Sequence, residues 1–276
     1  MRIFSPAAGG QKSKAPPAVG PEIWTRSTTG SQVIFFRRSP PAPVIRGRYP
    51  DPVRNPGAEV LEVDLWILSE FIIDRIVPVL RVRPYPFNEQ LLAVAAACRV
   101  KPSVVFDWGT HVGASARLFY ECARAFDLHF EVHSIDLPAD ASHVEHPGNQ
   151  HARLVRGLAG VHLHRGDGVT IALEQWNLLG RPPRPLFFVD GDHAYASVLR
   201  ELSAIFHAIG DASALVHDTF FQSAESGYNV GPARAIEDVV ARYPLRFTVV
   251  KSGLGLPGMT LLADSAMLAG VESRRK

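Results

Sequence analysis

From Lys101-Pro102 onward, short apolar runs alternate with longer stretches of helical spacing, and that rhythm leaves few folds open to the chain. Strands are predicted at 104–107, 131–136, 161–165, 186–190, 214–217, 246–250 and 259–263. Helices are predicted between most of them, at 114–126, around 150–158, and at 169–178, 195–209 and 232–242. Short β-runs separated by helices of this length build a doubly wound, mostly parallel seven-stranded α/β sheet. The last two strands have only Gly253-Leu-Gly-Leu-Pro-Gly258 between them, a turn, so the final strand enters antiparallel.

Ahead of the sheet, Leu61, Leu65, Leu68, Ile72 and Ile76 fall on one helical face that closes at Pro78. A second helix is predicted from Asn88, as N-cap, to about Arg99. This N-terminal helical extension, residues 58–100, is either a cap or dimer surface, which would make a homo-oligomer, or a layer on the sheet edge. Residues 1–57 carry ten of the 22 prolines and little that can be buried. Such a composition does not offset chain entropy, so this segment is expected to be disordered or loosely packed, with Gln32-Val-Ile-Phe-Phe36 as a short strand or docking piece. The regularly patterned remainder, 101–276, is expected to hold the ligand.

Charge narrows the function classes. Residues 1–60 hold nine Arg or Lys against three acids, so they carry +6 against the formal total of +2 and leave −4 for the rest. A mildly acidic core is a poor nucleic-acid footprint. Cys98 and Cys122 form no metal-spacing motif. No apolar run approaches the roughly 20 residues of a membrane span, and the N-terminus lacks the apolar core of a signal peptide. The expectation is a cytoplasmic protein that acts on small molecules and binds neither nucleic acid nor membrane.

In an open α/β sheet the ligand lies outside the carboxyl ends of the strands. There the sequence places Asp107, Asp136, Asp167, Asp190 and Asp218, at consecutive strand ends or just beyond them. The first turn reads Asp107-Trp-Gly109-Thr-His111-Val-Gly113, which lacks the G-x-G-x-x-G of a dinucleotide site. An acid at its mouth suits a ligand with a cationic part, while Gly109 and Gly113 allow close backbone approach. Asp136, 29 residues on, is positioned for ribose hydroxyls, and Asp167 for an adenine edge. A nucleoside that is cationic rather than phosphorylated describes S-adenosylmethionine.

Residues from about Phe87 to Asp264 resemble the class I S-adenosylmethionine-dependent methyltransferases. Within them they are most similar to a bacterial small-molecule O-methyltransferase group with an Asp-Gly-Asp-His-x-Tyr motif after strand four. The matching pieces are Asp107–Gly113, Ser134-Ile-Asp136, Phe187-Phe-Val-Asp-Gly-Asp-His-Ala-Tyr195, His217-Asp-Thr219 and the Gly-rich terminal hairpin. The resemblance implies a Rossmann-like methyltransferase fold. It assigns the donor to Asp107, Gly109, Thr110, His111, Gly113, Ser115, Asp136, Asp167 and Asp190.

Asp190 ends an apolar strand and Asp218 ends the next. Adjacent strand ends lie within about 5 Å, so the two carboxylates should share a site. They either bind a hard divalent cation or push one another's pKa upward. The similarity to metal-dependent catechol-type enzymes implies a Mg²⁺-type site on Asp190, Asp218 and Thr219. Two residues depart from that pattern: His193 stands where plant relatives have lysine, and Thr219 where they have asparagine. His193, beside Asp190, is the expected general base, because an imidazole titrates in the working range. Asp192 caps the following helix or joins the site, and His217 reads as a buried strand histidine. His143, His146, His151, His162 and His164 lack the spacing of a metal motif, and 220–231 is either a lid or a plain connection. A nicotinamide-dependent oxidoreductase and a non-catalytic S-adenosylmethionine-fold binding protein are the alternatives. An adenine or cytosine amino-methylating enzyme is not, because Asn/Asp-Pro-Pro-Tyr/Phe is absent after strand four.

Overall fold

The computed structural model describes residues 23–28, 31–36, 46–56, 58, 60–80, 83–138, 147–221 and 230–265. The chain divides between Ala42 and Pro43 into two units. In the first, β1 (Ile23–Thr28) and β2 (Ser31–Phe36) pair as an antiparallel hairpin. The second holds the sheet and everything described below.

Asp64 starts the second unit's first helix by accepting hydrogen bonds from the Trp66 and Ile67 amides, so α1 (Leu65–Phe71) begins one turn later than the apolar spacing predicts. It runs through a π-turn at Ile72–Ile76 into α2 (Val77–Leu80), past the expected stop at Pro78. The Val77 amide bonds back to Ile72 O across the π-turn, and a widened turn of this kind tolerates the missing amide of Pro78. α3 (Phe87–Val100) starts one residue before Asn88. Asn88 is therefore not the cap; its side chain reaches Ser252 O at 3.3 Å. Tyr49 and Val53, within the stretch expected to be loosely packed, are buried, and the Tyr49 ring lies 5.5 Å from Phe71 and 5.8 Å from Phe126.

The strands are β3 (Val104–Trp108), β4 (Glu131–Asp136), β5 (Val161–Arg165), β6 (Leu186–Val189), β7 (Ser213–His217), β8 (Phe247–Lys251) and β9 (Met259–Asp264). They form a seven-stranded sheet in the order β5-β4-β3-β6-β7-β9-β8. β9 lies antiparallel between β7 and β8, as the short 252–258 connection requires, and the other pairs are parallel. The connecting helices are α4 (Ala114–Ala125), α5 (Gly168–Leu178), α6 (Tyr195–Ala208) and α7 (Gly231–Arg242). Between β4 and β5 the expected helix near 150–158 is absent. Only a 3₁₀ turn, Gly148–Gln150, forms there. Two amides leave the segment, Ala152 N to His111 O at 2.7 Å and Leu154 N to Val112 O at 3.0 Å, and the others close short local turns.

Strand alternation sorts the core into two layers. Val105 and Phe188 pack with Leu68, Phe71 and Phe119 on one face, and Phe106 and Phe187 with Leu202 and Ile205 on the other. Each such fully buried side chain contributes about 1.5–3 kcal/mol of transfer free energy. By the same alternation Asp107 points to the Val105 side, a carboxylate inside an apolar layer. From β3 the chain moves outward to β4 and β5, then returns to add β6 on the opposite side. This is the switch point where a crevice opens at the strand ends.

Candidate active site

The turn after β3 is held from three directions. Gly109 has φ +80°, and a Cβ there would run into the main-chain oxygen of Asp190. Gly113, with φ +87°, begins α4, and a Cβ would meet Val155 at 2.7 Å. His111, at φ +44°, donates its amide to Asp136 Oδ2 at 3.2 Å. The glycines therefore serve close backbone packing, which binds the β3 turn to the ends of β4 and β6.

Asp107 is fully buried. Ser134 Oγ donates to its Oδ2 at 2.5 Å, and Thr110 Oγ1 lies 2.8 Å from Ser134 Oγ. Its Oδ1 has no partner. Burial pushes Asp107 up to about 7; Ser115 and Ser134 hydrogen bonds pull it down, and the charges of Asp190 and Asp136 push it up again. Asp136 Oδ2, in turn, lies 2.9 Å from His151 Nε2, and its Oδ1 accepts the Leu137 amide at 2.9 Å. Three carboxylates thus crowd one glycine turn, a setting that repels a pyrophosphate and favours a cation.

Asp167 lies apart from this group. It caps α5 through the Thr170 amide at 3.0 Å and pairs with Arg200 Nη2 at 2.9 Å. Its hydrogen bond with Arg200, aided by Thr170, holds it at about 2. The carboxylate expected at an adenine edge is committed to the helix end.

At the ends of β6 and β7 four side chains converge. Asp190 Oδ2 accepts from the Tyr85 hydroxyl at 2.7 Å, and its Oδ1 lies 2.9 Å from His217 Nδ1 and 3.4 Å from His193 Nε2. His193 Nδ1 is 2.6 Å from Asp218 Oδ2. Asp218 takes φ +55° immediately after β7, a conformation that Asp tolerates and that turns the chain at the strand end. His217 is buried, and its Nε2 reaches Glu89 Oε2 at 3.0 Å. Glu89 is fully buried in the first turn of α3, and its other oxygen accepts the Gly258 amide at 2.8 Å.

The imidazoles decide the charge state. Burial disfavours a charged His217, but Asp190, Asp218 and Glu89 outweigh it and hold the ring up to about 12, an imidazolium donating from both nitrogens. Hydrogen bonds to Asp190 and Asp218 raise His193 to about 10. Burial alone would raise Asp190, yet the His217 charge and bonds from His193, His217 and Tyr85 bring it down to about 2. Asp218 does not drive Asp190 up, because the His193 and His217 rings stand between them.

The structure brings Asp190, His193 and Asp218 together as the sequence suggests. Thr219, expected as a metal ligand, is buried with its hydroxyl 2.7 Å from Thr260 Oγ1. Asp192 accepts the Ala194 amide at 3.0 Å and the Ser197 hydroxyl, so it orders the start of α6. His217 is buried as expected, but its ring is the hub of the cluster. Sequence reasoning misses Tyr85 and Glu89; nothing local marks them, since their partners lie 105 and 128 residues away. His143, His146 and most of the 220–231 connection fall outside the described residues.

Residues 106–219 match a protein family described as a methyltransferase domain. No curated protein matches the chain in sequence. Among solved structures, it resembles the O-methyltransferase TomG of Streptomyces achromogenes in complex with SAM, at 19% identity over 71% of this chain and 88% of that one, TM-score 0.43. It also resembles an O-methyltransferase from Bacillus cereus in complex with SAH, at 13% identity over 71% and 90% of the two chains, TM-score 0.45. The matched segment runs from within β3 to just past β7 and contains the glycine turn, Asp190, His193, His217 and Asp218, but not Tyr85 or Glu89.

Proposed function

We propose that the chain is an S-adenosylmethionine-dependent O-methyltransferase that methylates a hydroxyl of a small molecule, a sugar, polyketide or phenol. One observation carries the reading: His193 bridges Asp190 and Asp218 at the strand ends, beside a glycine turn whose buried acid has an unpartnered oxygen.

The residues fit the donor. Asp107 Oδ1 is a buried acceptor with nothing to accept, and Asp136 and Asp190 add negative charge around the same turn. A cation-bearing nucleoside would answer the charge at Asp107 and Asp136, while Asp190 is already paired with His193 and His217. Asp136 would take its ribose hydroxyls once His151 yields, and the Gly109–Gly113 turn would lie against it. When bound, the donor supplies a methyl carbon already activated by sulfonium, so the protein's tasks are alignment and proton removal.

Asp218 holds His193 Nδ1 and thereby fixes the ring orientation. In its neutral form, His193 keeps that proton and offers Nε2 as acceptor. There Nε2 would take the proton of the acceptor hydroxyl, while the donor, held by Asp107, Asp136 and the Gly109–Gly113 turn, would supply the methyl group. Asp190, anchored by Tyr85 and His217, stabilises the resulting imidazolium.

A Mg²⁺-type site does not fit. Mg²⁺ prefers an octahedral shell of oxygen ligands. Here two imidazoles stand among the carboxylates, and such nitrogen donors suit a transition metal better than Mg²⁺. The proton-bearing rings supply the positive charge there.

The test is methyl transfer from isotopically labelled S-adenosylmethionine to a panel of sugar, polyketide and phenolic hydroxyls, read by mass spectrometry. His193→Ala should lower kcat by about 100-fold or more while leaving donor affinity unchanged. A near-wild-type rate removes His193 as the base, and no transfer to any acceptor class overturns the reading.

A further inference from the structure

A second set of histidines lies on the other wing of the sheet, away from the chemistry above. β4 and β5 are parallel neighbours, with His133 directly opposite His162, and β5 is an edge strand. Glu131 and His133 share a face of β4, and His162 and His164 share a face of β5. Register brings these four side chains together, which neither strand's sequence reveals alone.

We propose that Glu131, His133 and His162 form a binding site for a divalent transition-metal ion such as Zn²⁺ or Ni²⁺, clamping the edge strand β5 to β4.

One carboxylate oxygen and one ring nitrogen from each histidine lie within 4.8 Å of one another. The two rings are 4.6 Å apart, and His162 Nε2 is 3.0 Å from Glu131 Oε2. His133 is only 4% exposed, and its Nε2 is buried with no partner. Its Nδ1 lies 3.0 Å from His164 Nε2. The tautomer that donates Nδ1–H to His164 leaves the Nε2 lone pair buried and unused. A metal-binding histidine usually donates its other ring N–H to an outer acceptor, and His164 Nε2 takes that place here. Glu131 and His162 are exposed at the sheet edge, so an ion can approach from solvent. Two imidazoles and one carboxylate suit zinc or nickel better than magnesium or calcium, which select oxygen.

The experiment is calorimetric titration of the full-length protein with ZnCl₂ and with NiCl₂, on wild type, His162→Ala, Glu131→Gln, His164→Ala and, as a control, His193→Ala. The first two substitutions are at exposed positions, so the fold should survive them. Wild type should show a binding step that His162→Ala and Glu131→Gln lose and His193→Ala retains. His164→Ala should keep the step but weaken it about 10–100-fold. Unchanged titrations in His162→Ala and Glu131→Gln, loss of the step only in His193→Ala, or no binding by wild type would each overturn the proposal.

Discussion

Gly109 lies against the main chain of Asp190, so closely that any Cβ would enter the space of the Asp190 carbonyl oxygen. This contact joins the turn after β3 to the turn after β6, and with it the proposed donor site to the proposed reaction site.

Gly109→Ala should therefore fail in both places. Its φ of +80° alone costs alanine about 1 kcal/mol, and the clash with backbone cannot be relieved by rotating a side chain. The expected result is a lowered melting temperature together with lost binding of S-adenosylhomocysteine. Gly191→Ala, where a Cβ meets nothing within 4 Å, is the control that should melt like wild type.

His217 lies between the fully buried Glu89 and the half-buried Asp190, 3.0 Å and 2.9 Å from their carboxylates. His217→Ala should destabilise the fold by about 3–5 kcal/mol, as removal of one partner from a buried ion pair does. The pH dependence has a definite sign. His217 rises from 6.5 to about 12 on folding, so its contribution is complete below about pH 6.5 and lost as pH climbs toward 12. Asp190 falls from 3.8 to about 2, so its contribution is present above 3.8 and lost as pH drops toward 2. Urea unfolding should show a stability maximum between these limbs, and His217→Ala should flatten the alkaline one.

For His193 the sign runs the same way and reaches the kinetics. Only the neutral ring can accept a proton, and the bonds to Asp190 and Asp218 raise it to about 10. The ratio kcat/KM should climb about tenfold per pH unit from pH 7 toward 10. Asp218→Asn removes one of those stabilising partners and should move the whole limb to lower pH. A flat profile from pH 7 to 9 would show that His193 is not the base.

Exhaustive chelation should leave turnover unchanged, because the positive charge between Asp190 and Asp218 comes from His193 and His217. Activity lost to chelation and restored by Mg²⁺ would contradict that assignment.

Much of this architecture is legible in the order of residues alone. Seven strands and the antiparallel entry of β9 follow from apolar runs, helical spacing and one glycine-rich turn. The acids at the strand ends follow from where those runs stop. What the sequence hides is long-range pairing. Glu89 reads as an ordinary acid in the first turn of a helix, and only His217 and the Gly258 amide explain why it is buried. His217 reads as a core histidine because its neighbours on β7 are apolar. The 150–158 stretch has helical composition, yet hydrogen bonds to His111 and Val112 take the amides at Ala152 and Leu154. His133 gains significance only through the register that sets it opposite His162.

The most direct test of the central claim is calorimetric titration with S-adenosylhomocysteine at pH 7.5, on wild type, Asp136→Ala and Asp136→Asn, with NADH titrated in parallel. The account predicts one-to-one binding by wild type, at least tenfold weaker binding by both Asp136 variants, and no measurable binding of NADH. Unchanged affinity in the Asp136 variants would contradict the placement of the ribose. Tight NADH binding with none for S-adenosylhomocysteine would contradict the account as a whole.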